Sequence, residues 1–301
     1  MAAISIGRYI FLICAALILS YTSCSKSGAR NSSMEDQNDG QQTAQTYRPD
    51  PVARYVIEED TEQILDDSLG HILGDAEIPE QLSWNILRTA AQGPSFIMDL
   101  LVVLQGDPYL RVLVDKGHAL PASYEPQDLV ELTGGSYAVS RRGLLLRGSA
   151  ALALEEMAAA AKADGVTLAA SSAYRPYTYQ ETVYARNVRE SGQETADRES
   201  ARPGHSQHQL GLVVDFGSID DSFAETKAGR WILANASGFG WSLSFPNGYE
   251  EVTGYRWESW HYRYVGRELT YFIDTYFDGI QQYALRFIYA WEKAGGLSGS
   301  P

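Results

Sequence analysis

The chain has 301 residues, which suits one large domain or one domain with an extension. Its apolar content of 45% is typical of a globular protein and well above that of a disordered chain. A formal net charge of −14 and a pI near 4.8 exclude a nucleic-acid binder that tracks phosphates with basic side chains.

The N-terminus has the pattern of an export signal over residues 1–23. Arg8 precedes an apolar run of 11 residues, Tyr9–Leu19, which is shorter than the roughly 20 residues of a membrane span. Small residues follow and stand directly before Cys24, which resembles a bacterial lipoprotein processing site. We therefore predict lipidation of Cys24. The alternative is plain secretion with Cys24 as a free thiol.

Residues 24–50 are polar, with few apolar side chains, and we predict a disordered tether there. Residues 51–106 have apolar positions at helical spacing, with an interruption at Gly93-Pro94. We predict a helical N-terminal extension, which could be a subdomain, an inhibitory segment or a docking segment. We predict that residues 107–294 form the catalytic domain.

Patterns in the first half of this domain predict alternating strands and helices. Tyr109–Val114 and Val166–Ala170 are strand candidates. Ser149 can cap a helix that runs to about Asp164. Pro176 suits the first turn of a helix that continues to about Glu190.

Arg175 stands at the turn between a strand and a helix, where functional groups are often displayed. Its guanidinium could bind an oxyanion or a carboxylate, although position alone favours a surface ion pair. Gln180 follows in the first turns of the helix and is by default a residue of its polar face.

The stretch from Ala201 to Asp215 contains His208 and Asp215 on either side of a short apolar strand candidate. They are seven positions apart, an odd number, so a straight strand would point the two side chains to opposite faces. The chain must therefore bend between them, and Gly211 is the residue where it can.

A second stretch supplies Glu258 and His261, three residues apart. A turn after Glu258 would bring both into one pocket. Two imidazoles and one carboxylate are the usual ligands of a catalytic zinc, which keeps one position open for water. A further carboxylate could accept a proton from that water. The residues up to Val265 are predicted as a strand, and Arg267–Lys293 as one long helix.

Four blocks occur in one order: SSAYRPYTYQ, ARPGHSQHQLGLVVDFG, GFGWSLSFPNG and TGYRWESWHYRYVG. Together they resemble the VanY-type D-alanyl-D-alanine carboxypeptidases, a branch of the LAS zinc metallopeptidases. The resemblance covers roughly residues 107–266. It implies an α+β fold, a small antiparallel sheet flanked by helices. It also implies one Zn²⁺ and a zinc metallocarboxypeptidase, not a serine-type enzyme.

The resemblance also implies roles for individual residues. His208, Asp215 and His261 match the metal ligands, Glu258 matches the catalytic base, and Arg175 matches an arginine that stabilises the oxyanion or the substrate. Gln180 and Ser206 match positions near the bound peptide. Gln207 stands where the family often has Glu, and Ser259 where it often has Pro, and neither position is a ligand.

The expected reaction is removal of the terminal D-Ala from the stem peptides of peptidoglycan, by an exported protein of the cell envelope. The motifs leave open an LD-carboxypeptidase or a peptidoglycan endopeptidase on the same scaffold, because pocket shape sets stereochemistry. A non-catalytic binder of cell-wall peptide is a further alternative, against which an intact Glu258 argues. The only membrane contact that we predict is through the lipid on Cys24.

Overall fold

The computed structural model describes residues 68–295. The predicted signal at 1–23, the tether at 24–50, Cys24 and the start of the helical extension lie outside these residues. The ten helices of the described residues are α1 at 68–75, α2 Glu80–Ala91, α3 Ser95–Gln105, α4 Gly148–Ala163, α5 Tyr177–Ser191, α6 Gln193–Glu199, α7 Lys227–Asn235, α8 Glu250–Thr253, α9 Arg267–Tyr276 and α10 Gln281–Lys293.

Seven short strands form two sheets in the described part of the chain. They are β1 Leu129–Glu131, β2 Ala138–Val139, β3 Leu145–Arg147, β4 Ala169–Ser172, β5 Val213–Phe216, β6 Trp241–Leu243 and β7 His261–Tyr264. Strands β1 and β3 pair as an antiparallel ribbon. The main sheet has the order β2-β4-β5-β7-β6 and is antiparallel except between β2 and β4. The predicted α+β class, with a small antiparallel sheet flanked by helices, is confirmed.

Two hydrophobic clusters hold these elements together. One lies between the main sheet, α4 and the segments around them, and includes the fully buried Met157, Phe216 and Trp241. The other joins α1, α2 and α3 to α9 and α10, with Phe96 and Phe272 at ring-centroid separation of 5.4 Å. The first and last helices of the described chain therefore share one core. The boundary at residue 106 stays a prediction.

Among residues 68–295, no single helix is long and apolar enough to cross a membrane. Helices α2 and α3 reach that length and composition as a pair, but they bend by 101° at the break between them. This break lies at Gly93-Pro94, where the sequence predicted an interruption.

The two helices predicted before and after Arg175 are present, with their ends shifted by one or a few residues. Helix α4 begins at Gly148, one residue before Ser149, so the predicted cap at Ser149 is wrong. Helix α5 begins directly after Pro176 and ends at Ser191, one residue beyond the predicted end near Glu190. The strand expected at Val166–Ala170 lies slightly later, at β4.

The strand predicted at Tyr109–Val114 is wrong. Asp107 caps a 3₁₀ turn at Pro108–Arg111 by accepting a hydrogen bond from the amide of Tyr109. The buried guanidinium of Arg263 donates to the carbonyls of Leu110 and Val112, at 3.0 and 2.8 Å. A side chain from β7 therefore satisfies carbonyls that a strand partner would otherwise bind.

The single helix predicted over Arg267–Lys293 is also wrong, because the chain breaks between α9 and α10. Asp278 and Gly279 adopt left-handed φ values of 52° and 75°, which a helix cannot continue through. The apolar spacing continues across the break, and for this reason the pattern did not reveal it.

Candidate metal centre

A sharp bend places His208 beside the main sheet. His208 lies in a 3₁₀ turn, Gln207–Leu210, which ends at Gly211 in the left-handed conformation with φ of 69°. A Cβ at Gly211 would meet the Leu129 side chain at 2.9 Å and Cγ of Arg147 at 3.1 Å. Glycine is therefore required here both by conformation and by space. The predicted bend at Gly211 is confirmed.

Asp215 and His261 are direct cross-strand partners on β5 and β7. Their side chains therefore leave the sheet on one face, a few ångströms apart. The turn after Glu258 is also present, since the amide of His261 donates to the Glu258 carbonyl at 3.1 Å. Sheet pairing and this turn bring Glu258 to the same side as the two cross-strand residues.

The side chains of His208, Asp215 and His261 converge on one point. All three are buried, and one ligand atom from each lies within 4.8 Å of the others. Nε2 of His208 and Nδ1 of His261 each lie 3.2 Å from an oxygen of Asp215. Ligands about 2.0 Å from a tetrahedral zinc lie roughly 3.3 Å apart, so these separations fit a zinc ion.

Both imidazoles are oriented by contacts on their far sides. Nδ1 of His208 donates to the Ala173 carbonyl at 2.7 Å, which leaves the lone pair of Nε2 facing Asp215. Nε2 of His261 lies 3.4 Å from Oε1 of Gln207, which also accepts from Ser244 Oγ at 2.8 Å. Such outer contacts fix the ring orientation of metal-ligating histidines.

Gln207 is a functional candidate that the sequence reasoning missed. The resemblance marks it simply as a departure from the family at a position that is not a ligand. The structure agrees that it is not a ligand but places its side chain against a ligand imidazole. Its adjacency to His208 in the motif was the available signal, but the contact is made to a histidine 54 positions away.

Burial and charge act against each other at these ligands. Burial alone would raise the pKa of Asp215, but the two imidazoles outweigh it and hold that pKa well below its usual range. Burial lowers the pKa of His208, so this imidazole is readily neutral. Burial would also lower the pKa of His261, but hydrogen bonds and charge from Asp215 and Glu258 raise it to about 9. The site attracts positive charge, which a divalent cation supplies.

Glu258 is a buried carboxylate beside the ligands. Its Oε2 lies 3.3 Å from Nδ1 of His261, and its amide donates to the Phe245 carbonyl at 3.1 Å. Burial is the main cause that raises the pKa of Glu258 above its usual value. A raised pKa suits a carboxylate that must take up and return a proton near neutral pH.

Arg175 lies at the same site and is held by neutral partners. Its Nη1 donates to Oε1 of Gln180 at 2.8 Å, and its Nη2 donates to Ser172 Oγ at 3.2 Å. The Arg175 amide also donates to the His208 carbonyl, which links the two motifs. Burial lowers the pKa of Arg175, yet no carboxylate forms a salt bridge with it among the described residues. Its charge is available to a ligand.

Gln180 and Ser206 differ in their access to the pocket. A cavity of about 330 Å³ opens over the centre and is lined by Arg175, Ser206, Glu258 and the three candidate ligands. Gln180 is 1% exposed and does not line this cavity. It bridges Arg175 and the Ala201 carbonyl, to which its Nε2 donates. The structure thus places Ser206 where a peptide could bind and Gln180 behind Arg175, not on the polar surface of its helix.

The model of the VanY family, described as D-alanyl-D-alanine carboxypeptidase, matches residues 143–267. The chain is 36% identical over 178 residues to the putative carboxypeptidase YodJ of Bacillus subtilis, covering 57% of this chain and 65% of YodJ. It is 32% identical over 206 residues to a D-alanyl-D-alanine carboxypeptidase of Enterococcus faecalis, covering 65% of this chain and 68% of that protein. The chain belongs to the VanY family.

A solved structure agrees with this assignment. The LdcB LD-carboxypeptidase is similar in fold to this VanY-family chain with a TM-score of 0.51 and 34% identity, over 56% of this chain and 85% of LdcB. The chain spans about two thirds of the length of the two curated relatives above. The three candidate ligands, Glu258 and Arg175 all lie within the part that the VanY model matches.

Proposed function

We propose that this protein is a zinc-dependent D-alanyl-D-alanine carboxypeptidase that removes the terminal D-Ala of peptidoglycan stem peptides. The observation that carries the proposal is the position of Glu258, 3.3 Å from a ligand nitrogen of a two-His, one-Asp cluster. A metal site needed for structure alone has no use for a buried, unligated carboxylate beside it. Membership of the VanY family and the match to the E. faecalis enzyme support the substrate class.

In this proposal His208, Asp215 and His261 would hold the zinc ion. A bound zinc ion would lower the pKa of water and polarise the scissile carbonyl. Glu258 takes the proton of the attacking water and returns it to the leaving amino group of D-Ala. Its pKa, raised by burial, makes Glu258 a better proton acceptor than an exposed carboxylate.

Arg175 stabilises the negative charge that develops on the carbonyl oxygen. Its guanidinium is fixed by Gln180 and Ser172 before substrate arrives, so little reorganisation is needed. A preorganised contact of this kind contributes about 3 kcal/mol to transition-state stabilisation in comparable sites. Ser206 lines the cavity and is proposed to bind the peptide.

The proposed location is the outside of the cytoplasmic membrane, where peptidoglycan lies. The predicted signal at residues 1–23 and the predicted lipid on Cys24 would export the protein and anchor it to a membrane. The polar residues 24–50 would then tether the catalytic part to that anchor.

The test is incubation of the protein with a muramyl pentapeptide and a muramyl tetrapeptide, with and without a chelator, read by mass spectrometry. Chelator-sensitive loss of one D-Ala from the pentapeptide supports the proposal. Cleavage of the tetrapeptide alone would contradict the proposed DD specificity. It would instead indicate an LD-carboxypeptidase, the activity given for LdcB. Zinc binding with no cleavage of either peptide would contradict a carboxypeptidase and favour an endopeptidase or a binder.

A further inference from the structure

A large cavity lies away from the metal centre, where the N-terminal helices meet the catalytic part. Its volume is about 810 Å³, within the range of small-molecule sites. We call it the distal cavity. The cavity is lined by the end of α1 and the residues after it, the turn after Val114, helix α8 and helix α10. The lining includes Asp75, Lys116, His118, Glu251, Tyr289 and Lys293.

A middle cavity shares lining residues with both the distal cavity and the cavity over the metal centre. Ser200, His205 and Tyr255 line both the cavity over the metal centre and the middle cavity. Lys116 lines both the middle cavity and the distal cavity. The three cavities therefore form a series of neighbouring spaces with common walls.

A chain of side-chain contacts gives the separation between the metal centre and Lys116. Ring centroids of His261 and Phe245 are 4.7 Å apart, and those of Phe245 and Tyr255 are 4.9 Å apart. Nζ of Lys116 then lies 4.8 Å from the Tyr255 ring. An extended peptide advances about 3.3 Å per residue, so four or five residues cover the separation between His261 and Lys116, which borders the distal cavity.

In a carboxypeptidase substrate, a single residue lies on the C-terminal side of the scissile bond. The rest of the substrate lies on the N-terminal side and needs the longer part of the binding groove. In a muramyl pentapeptide, four residues precede the scissile bond, and the amino sugar is attached to the N-terminal end of these four. The sugar would therefore arrive at the distal cavity.

The walls of the distal cavity carry charges of both signs, from four acidic and three basic side chains. Asp75, Glu77, Asp115 and Glu251 face three cations, Lys116, Arg286 and Lys293. Such a mixed lining has little net charge and suits a neutral polar ligand. Carboxylates accept hydrogen bonds from hydroxyl groups, and ammonium groups donate to hydroxyl and acetamido oxygens.

Tyr289 supplies an exposed aromatic ring at this cavity. The ring is 42% exposed and lies 4.6 Å from the imidazole of His118. His118 is itself fixed by Asp115, which contacts its Nδ1 at 2.8 Å and accepts from Gln282 at 2.7 Å. An exposed ring held in one orientation can pack against the C–H face of a sugar at low entropic cost.

Three walls of the distal cavity are held together by the side chain of Arg286. Arg286 of α10 donates to Glu77 at 3.1 Å and to the Val252 carbonyl at 3.0 Å. It thereby holds the end of the N-terminal helical segment and helix α8 against α10. The cavity is thus formed in the folded protein before a ligand arrives.

We propose that the distal cavity binds the amino sugar to which the stem peptide is attached, with Tyr289 as the ring against which the sugar packs. This inference rests on the proposed function and adds a glycan subsite to it. It also assigns a role to the N-terminal helical segment, which provides one wall.

The test compares kcat/KM for a free pentapeptide and for the same pentapeptide on a GlcNAc–MurNAc disaccharide, using the full protein with zinc. We expect the disaccharide-linked substrate to be preferred by about tenfold. Tyr289→Ala should bring the ratio of the two kcat/KM values towards one. Trp84→Ala, which removes another exposed aromatic side chain outside the cavity, should leave the ratio as in the wild type.

A wild-type ratio near one, or a Tyr289→Ala variant that keeps the wild-type preference, overturns the glycan subsite but not the carboxypeptidase. A second readout is binding of the GlcNAc–MurNAc disaccharide without peptide, measured by NMR on the wild type and on Tyr289→Ala. If neither substrate is cleaved, the proposed function fails, and this binding experiment decides the subsite by itself. Chemical-shift changes lost in Tyr289→Ala support the subsite, and identical spectra with and without disaccharide contradict it.

Discussion

The amide oxygen of Gln207 lies 3.4 Å from Nε2 of His261 and also accepts a hydrogen bond from Ser244. It holds the imidazole with Nδ1 towards Asp215. We predict that Gln207→Ala weakens zinc binding about 10- to 100-fold, because the ring loses its outer partner. Gln207→Glu should retain affinity, since a carboxylate accepts from Nε2 at least as well. Competition with a fluorescent zinc chelator measures both, and wild-type affinity in Gln207→Ala would show the contact to be incidental.

Removal of His208 tests the ligand set. We expect His208→Ala to lose zinc at stoichiometric concentrations, since two remaining ligands do not hold a catalytic ion. Metal content after desalting, measured by atomic absorption, checks this. His118→Ala is the matched control, because His118 lies outside the metal centre and should leave zinc content unchanged. Full zinc occupancy in His208→Ala would remove His208 from the ligands.

Glu258 is predicted to act on the proton and not on the metal. Glu258→Gln keeps the shape of the side chain but cannot accept a proton, so kcat should fall about 10²- to 10⁴-fold with zinc retained. Turnover of the muramyl pentapeptide and metal content are measured on the same preparation. Near-normal turnover would contradict the assignment of Glu258 as the base.

Gln180 is predicted to be a positioning residue. Gln180→Leu removes the acceptor that fixes Nη1 of Arg175. We expect kcat to fall roughly tenfold with little change in KM, because transition-state stabilisation is lost while ground-state binding remains. Gln127→Leu, at an exposed position, is the control. A change in KM with kcat unchanged would instead indicate direct contact with the substrate.

Gly211 gives a prediction for stability. Gly211→Ala should destabilise the protein more than Gly143→Ala, by roughly 1–3 kcal/mol, through overpacking. Both glycines have left-handed φ, 69° and 77°, but a Cβ at Gly143 meets nothing within 4 Å. The backbone strain is therefore matched, and the difference in denaturation midpoints reports the contacts with Leu129 and Arg147. Equal destabilisation would mean that the neighbours move aside.

The sequence predicted those parts of the site that depend on local geometry. The bend at Gly211 and the turn after Glu258 followed from spacing and glycine chemistry, and both are present. Gln207 and Gln180 could not be placed in this way, because their partners depend on how separate segments pack. The same limit explains the error at Tyr109–Val114, where Arg263 binds carbonyls that a pattern of apolar residues assigns to a strand.

The shared core of the first and last helices has a consequence for synthesis. Phe96 and Leu100 are buried against side chains such as Phe272 and Phe287, which leave the ribosome far later. Helices α2 and α3 therefore keep their apolar faces uncovered until nearly the whole chain has been made. A chain shortened before α10 would lose the cover of its N-terminal helices and would be a target for proteases and aggregation.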